Sequence, residues 1–243
     1  MFSLATPLVA VEDITLRLGY TRSTAYRYLK ELCDAGLLTP ASAGAYSLGP
    51  RVIELERMLA LTDPFYLAGQ AVLAEQRCDN TALLLHNLYA DKVLCIYKQG
   101  PDEFEYGGRR ITILRARGLP LPLFKGAASL ALLPFLSAHR IRQTYLRSAA
   151  EIAAAGLGAH WDEFRRNMAA IRRVGHATSH GQISPDVSGV AVPILLDDRR
   201  MIGSLARAYP TASMPADQEA SCAAELRGIG RRIAHEYVKT AKR

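Results

Sequence analysis

Apolar residues recur along this chain on two periods, near 3.6 in some stretches and 2 in others, and the changes of period mark out its elements. At the start, Val11, Ile14 and Leu18 make one face of a short helix running from Val9 to Leu18. Gly19 suits the left-handed residue that ends a helix, and Thr21 or Ser23 can cap the next one. From Arg22 onward, Ala25, Leu29, Leu32 and Cys33 share an inner face, while Ser23, Tyr26, Arg27 and Lys30 share another. So short a turn sets two helices at a steep angle, as in helix-turn-helix units. After Gly36 the period drops to 2. Leu37 to Pro40 and Ala45 to Leu48 flank Ala41-Ser42-Ala43-Gly44, a small hairpin with a glycine-bearing turn. Helix, turn, helix and hairpin together make a winged helix.

The rest of the chain mixes both periods. Arg51 to Leu61 predicts a linker helix leading away from the hairpin, Asp63-Pro64 a break, and Phe65 to Arg77 a further helix. The domain boundary is placed there: residues 1–62 as winged helix plus linker, residues 63–243 as a second domain. In that domain Ala82 to Leu88 and Val93 to Tyr97 form a hairpin, and Ile111 to Leu114 another strand. Val187 to Leu196 and Met201 to Ala208 flank a charged turn, Asp197 to Arg200. Helices are expected over Lys125–Phe135, Ala138–Arg147, Asp162–Arg173 and Ala216–Lys239, the last interrupted by Gly228 and Gly230. The class is α+β: an N-terminal winged helix, a linker helix, and a C-terminal α/β domain with a mainly antiparallel sheet.

Charge sharpens the first domain. The chain carries 30 Lys+Arg against 23 Asp+Glu, a net +7, and a pI of about 9.4, which permits a polyanionic partner. Residues 1–62 nonetheless hold six cations and six acids, so that domain is neutral overall. Its basic character is a stripe: Arg17, Arg22, Arg27 and Lys30, with no acid between Ile14 and Lys30. Such a stripe suits phosphate neutralisation and base-edge contact; a generic helical hairpin is the alternative that the hairpin and the stripe count against. The paired arginines downstream read as solvated faces. The four cysteines, Cys33, Cys78, Cys95 and Cys222, form no C-x-x-C pair and fit reduced thiols. The longest apolar run, Gly126 to Leu136, is too short to span a bilayer, and Met1 to Pro7 lacks the basic start of a signal peptide. A cytoplasmic location without membrane contact is therefore the expectation.

The order of these pieces resembles the IclR family of bacterial transcription regulators. The resemblance rests on Arg-Ser-Thr-Ala-Tyr-Arg-Tyr-Leu from Arg22, on Tyr46-Ser47-Leu48-Gly49-Pro50-Arg51, and on the linker helix. Looser matches are Gly118-Leu119-Pro120-Leu121-Pro122-Leu123 and the segment Ile183 to Ile194. It implies operator DNA as partner, a homodimer or homotetramer, repression or activation, and a small organic effector. It places Thr21, Arg22, Ser23, Thr24 and Arg27 at the DNA, Tyr26 and Lys30 close by, and Tyr46 and Arg51 on the backbone from wing and linker.

The resemblance also implies a further helix before Val9. Phe2, Leu4 and Ala5 look like its last turn, so the sequence is expected to begin inside it, leaving Val11, Ile14 and Leu29 under-covered. A ligand-binding or dimerising protein with impaired DNA binding is the corresponding alternative. The effector positions carried over are Ala127 and Ala128, whose amides would hold a carboxylate, with Ser179, Gly189, Ala206 and Ala208 where the family has an acid, a cysteine and two serines. Amide donors at the start of the helix after Lys125 favour an anion. The lining is small and apolar, so the expected effector is a bulkier aromatic or hydrophobic acid, or none, rather than a polar two- or three-carbon acid. Arg115 and Arg207 are candidate counter-charges, with a plain surface position as the other reading of each.

An enzyme is the rival class. The chain has no G-x-S-x-G elbow, no phosphate-binding loop and no full G-x-G-x-x-G. His176 and His180 flank a segment that reads as a strand, where their spacing does not suit a metal. No catalytic residue, metal or cofactor is expected.

Overall fold

A computed structural model describes residues 1–3, 5–113, 117–197, 200–213 and 216–242. The chain divides at Asp63/Pro64 into two compact units, Met1–Asp63 and Pro64–Arg243. The strand expected at Ile111–Leu114 ends in part, and the turn at Asp197–Arg200 lies in part, outside the described residues, as do Leu4 and Arg115.

The first unit is a winged helix: β1 (Val9–Ala10), α1 (Val11–Leu18), α2 (Arg22–Asp34), β2 (Leu38–Pro40), β3 (Ala45–Leu48) and α3 (Arg51–Thr62). Gly19 ends α1 at φ 68°, and its amide donates to the Thr15 carbonyl. Two sequence expectations are corrected here. Val9 and Ala10 are not the start of α1; they pair antiparallel with Tyr46 and Ala45, making the wing a three-stranded sheet in the order β1-β3-β2. Nor do the described residues before β1 form a helix: Ser3 and Thr6 exchange backbone hydrogen bonds at 3.1 and 3.0 Å.

Val11, Ala25, Leu29 and Leu38 form the buried centre of this unit, with Phe2, Ile14, Cys33 and Tyr46 packed around it. Of the three residues expected to be under-covered, Val11 and Leu29 are buried, with Phe2 packed on that centre, while Ile14 is only part-buried. Leu18 and Leu32, assigned to the inner faces, are exposed. The wing tip, Ser42–Gly44, is a single 3-10 turn with Ala43 left-handed at φ 56°. Gly49 is required at the junction of wing and linker: a Cβ there would strike the Gly36 carbonyl.

The second unit is built on one six-stranded antiparallel sheet. Its strands are β4 (Ala82–Tyr89), β5 (Lys92–Gln99), β8 (Pro120–Pro122), β9 (Ala177–Ser184), β10 (Val187–Leu196) and β11 (Arg200–Pro210), in the order β8-β5-β4-β11-β10-β9. A separate hairpin joins β6 (Glu103–Tyr106) to β7 (Arg109–Thr112). The helices are α4 (Pro64–Leu73), α5 (Ala127–Leu132), α6 (Ala138–Ala154), α7 (Trp161–Val174) and α8 (Glu219–Thr240). The two-residue period of the strands sorts their side chains between two cores. Leu83, Leu85, Val190, Val192, Ile194 and Leu205 face α4 and α8. Leu84, Ala191, Ala206 and Ala208 face α5, backed by Ile152 of α6 and by Phe164 and Met168 of α7. The small residues on this second face let α5 lie close to the sheet.

Gly228 and Gly230 do not interrupt α8, which runs unbroken through both. A Cβ at Gly230 would meet Ile194 Cγ1 at 3.5 Å, so the glycine brings the helix axis near β10. The helix expected over Phe65–Arg77 stops at Leu73, and that over Lys125–Phe135 is α5 followed by a 3-10 turn, Leu133–Phe135. No helix among the described residues is long and apolar enough to cross a membrane.

Candidate functional site

Two places carry candidate chemistry, one in each unit. In the first, α2 buries Ala25 and Leu29 and turns Arg22, Ser23, Tyr26, Arg27 and Lys30 outward, all exposed. Thr21 caps the helix: its Oγ1 accepts from the Thr24 amide at 3.3 Å. The same hydroxyl donates to Thr24 Oγ1 at 2.9 Å and lies 3.1 Å from Ser23 Oγ. Thr21, Ser23 and Thr24 are therefore one hydroxyl cluster that fixes the helix start.

The arginines of α2 differ. Arg22 Nη2 donates to Glu12 Oε1 of α1 at 3.0 Å, and its guanidinium lies over the Tyr26 ring, 5.9 Å from the centroid. The Tyr26 hydroxyl, then the charges of Tyr26 and Glu12, raise its pKa further above the ordinary arginine value. Arg27 has no carboxylate partner among the described residues and lies over Tyr28, 5.4 Å from the ring centroid. Tyr20 stacks obliquely on Tyr28 at 5.5 Å, so two aromatic rings unnoticed in the sequence brace the cation side of the helix. Their positions flanking the cations of α2 were the available signal. Tyr46 sits differently from expectation. Its ring packs on the buried centre of the unit, and burial pushes its phenol pKa up. Arg51 is exposed but ion-paired with Glu54 of its own helix.

In the second unit, Ala127, Ala128, Ser179, Gly189, Ala206 and Ala208 all line one cavity, with Leu84, Ile183, Val187, Ser188 and Arg207. Its volume is about 20 Å³, room for about one water. α5 is tied down over it: Ser204 Oγ donates to the Ala128 carbonyl at 3.1 Å, and the Gly126 amide donates to Gln182 Oε1 at 2.9 Å. That amide, one of the donors expected to meet an anion, is thus occupied by a side chain.

Arg207 borders this cavity, but its side chain is largely buried and its guanidinium is taken up by Glu225, which corrects both the surface and the counter-charge readings of it. On β11 its side chain falls with Leu205 and Tyr209 on the α8 face. There Nη1 and Nη2 grip Glu225 Oε2 and Oε1, both at 2.7 Å. The guanidinium holds the Glu225 carboxyl below its ordinary pKa. His180 Nε2 lies 3.2 Å from Glu219 Oε1, so that histidine is engaged in a link from β9 to α8.

No protein-family model matches the chain. Its architecture is nevertheless shared over nearly its whole length. A putative IclR transcriptional regulator from Silicibacter sp. TM1040 superposes with a TM-score of 0.74 at 24% identity, covering 97% of this chain and 91% of the other. The fold is that of the IclR-type regulators. An IclR homologue from Microbacterium hydrocarbonoxydans, solved with 4-hydroxybenzoate, shares the IclR-type fold with a TM-score of 0.63 at 20% identity, over 98% of this chain and 95% of that one. In sequence, the HTH-type transcriptional regulator KipR of Bacillus subtilis is 21% identical over 201 residues, 82% of this chain and 78% of the relative.

Proposed function

We propose that this chain is a sequence-specific DNA-binding transcriptional regulator of the IclR type, and not an enzyme. The observation that carries the reading is α2: a capped second helix of a helix-turn-helix, presenting Ser23, Tyr26, Arg27 and Lys30 on its exposed face beside a three-stranded wing. Arg27 reads a base edge, because it has no carboxylate partner among the described residues, unlike Arg22, and its guanidinium fork, unlike the Lys30 ammonium, matches guanine. Lys30 meets phosphate. Thr21, Ser23 and Thr24 hold the helix start, where amides and hydroxyls meet the backbone. Arg22 joins them once DNA phosphate competes with Glu12. Tyr46 and Arg51 contribute at most their outer polar atoms from wing and linker.

The working unit is a homodimer or a pair of dimers. α3 supports this by exposing Ile53, Met58, Leu59 and Leu61 along one helix, apolar surface that a second copy would cover. The cavity beneath α5 takes the organic effector. Its apolar lining favours an aromatic or hydrophobic acid, and the relative bound to 4-hydroxybenzoate supports that class.

In vitro selection from random duplex DNA tests the reading. A two-fold symmetric site should be enriched, with half-sites about one helical turn apart. Enrichment of no sequence over the starting pool would remove the proposal. The effector class is tested by calorimetry, where 4-hydroxybenzoate should bind more tightly than glyoxylate; the reverse order would reject it.

A further inference from the structure

A second cleft, outside the cavity beneath α5, has the opposite chemistry. It lies where the C-terminal end of α7 meets β10 and α8, and has a volume of about 400 Å³. Three arginines line it, Arg172, Arg227 and Arg231, around an apolar floor of Phe135, Pro193, Ile194 and Leu195. No aspartate or glutamate lines it among the described residues.

Each arginine arrives from a different constraint. Arg172 is held by the Pro134 carbonyl, which accepts from Nη1 at 3.4 Å, and by the Phe135 ring, 5.1 Å from its guanidinium. Arg227 is half-buried on α8 and reaches toward the end of α7: a Cβ at Gly175 would lie 4.0 Å from its Nη1. Arg231 stands one turn further along α8. Neither Arg227 nor Arg231 has an ion-pair partner among the described residues, while other cations of the unit do. Arg207 holds Glu225, Arg232 holds Glu75 and Arg147 holds Asp91.

Three like charges around one concavity repel one another and focus a positive field into it. The α7 C-terminus offsets only part of this, since a helix end is equivalent to roughly half a negative charge. About two and a half positive charges remain, which a dianion matches better than a monocarboxylate. The aryl and aliphatic floor adds a surface for an apolar body of the same ligand. We infer that this cleft binds a small organic dianion, a phosphate monoester or dicarboxylate carrying an apolar group, at a site separate from the cavity beneath α5.

Phenyl phosphate is a direct probe, compared with inorganic phosphate and with benzyl alcohol by calorimetry on the full chain. Saturable one-to-one binding of phenyl phosphate is expected, tighter than inorganic phosphate, with no binding of the alcohol. Arg227→Ala and Arg231→Ala should each weaken it about ten-fold, as loss of one charge-assisted contact does. Arg173→Ala, on the same helix as Arg172 but outside the cleft, should leave it unchanged. Arg231 is exposed, so its variant separates binding from folding. No saturable binding by the unaltered chain would overturn the inference. So would equal affinity in the Arg227 and Arg231 variants, or loss of binding in the Arg173 variant.

Discussion

A single strand position decides what Arg207 can do. One residue either way along β11 would point its side chain at α5 and the small cavity; where it stands, it crosses to α8 and grips Glu225 with both nitrogens. The arginine side chain is largely buried and the glutamate about half exposed, so the pair contributes less than a fully buried one. Glu225→Gln should cost about 1–2 kcal/mol at pH 7. The folded glutamate has a depressed pKa, so its contribution is present above the unfolded carboxylate value and is lost as pH falls through the folded one. The gap between wild type and Glu225→Gln should accordingly be full at pH 7 and close at strongly acidic pH, read by urea titration at each. A gap that persists at pH 2 would assign the loss to packing instead. On α2, Arg27→Ala should weaken operator binding about 5- to 150-fold and relax specificity at one base pair. Lys30→Ala should weaken all sequences alike and reduce the salt slope by about 1. Anisotropy titrations over a salt series separate the two. Arg27 and Lys30 were legible because helical spacing alone places them opposite Ala25 and Leu29. Leu18 and Leu32 were misplaced because spacing fixes a face but not how far the buried centre reaches across it.

At the scale of elements, long periodic segments were readable as elements, though not always in their bounds (α6 runs on from Arg147 to Ala154), and short ones were not. β10 has the bounds its pattern predicts and α2 begins where its pattern does, since ten and thirteen residues carry enough repeats to define a period. β1 has two residues and no period of its own; it is a strand because Tyr46 and Ala45 offer it backbone partners. β8 is Pro120-Leu121-Pro122, which reads as a loop, yet it pairs with Lys92 to Leu94 at the sheet edge, where proline is tolerated. α3 carries the prediction that belongs here. Ile53 and Leu59 are 74% and 61% exposed, and neither stabilises an isolated helix by burial. If a second copy covers them, Ile53→Glu with Leu59→Glu should shift the protein toward smaller assemblies by sedimentation velocity while leaving its helical circular dichroism intact. An unchanged sedimentation coefficient would rule this face out as a contact between copies.

At the scale of the whole molecule, regulation requires that an effector distinguish two states of the second unit. The six residues carried over as effector positions line one cavity; its volume of about 20 Å³ was not legible, because it depends on how closely α5 settles on Ala191, Ala206 and Ala208. An ordinary ligand pocket holds roughly 300 Å³ or more, so an aromatic acid enters only by lifting α5 against the Ser204 and Gln182 hydrogen bonds. That displacement supplies a second state, and its cost lowers apparent affinity. Leu84 lines the cavity and is fully buried. Leu84→Ala should destabilise the fold by about 2–5 kcal/mol and make room without moving α5. Saturating 4-hydroxybenzoate should then raise the melting temperature of the variant more than that of the wild type, since binding to the folded state alone stabilises by RT ln(1 + [L]/Kd) and the variant avoids the opening cost. A smaller rise in the variant would mean that the ligand does not occupy this cavity and that α5 is not the element it moves.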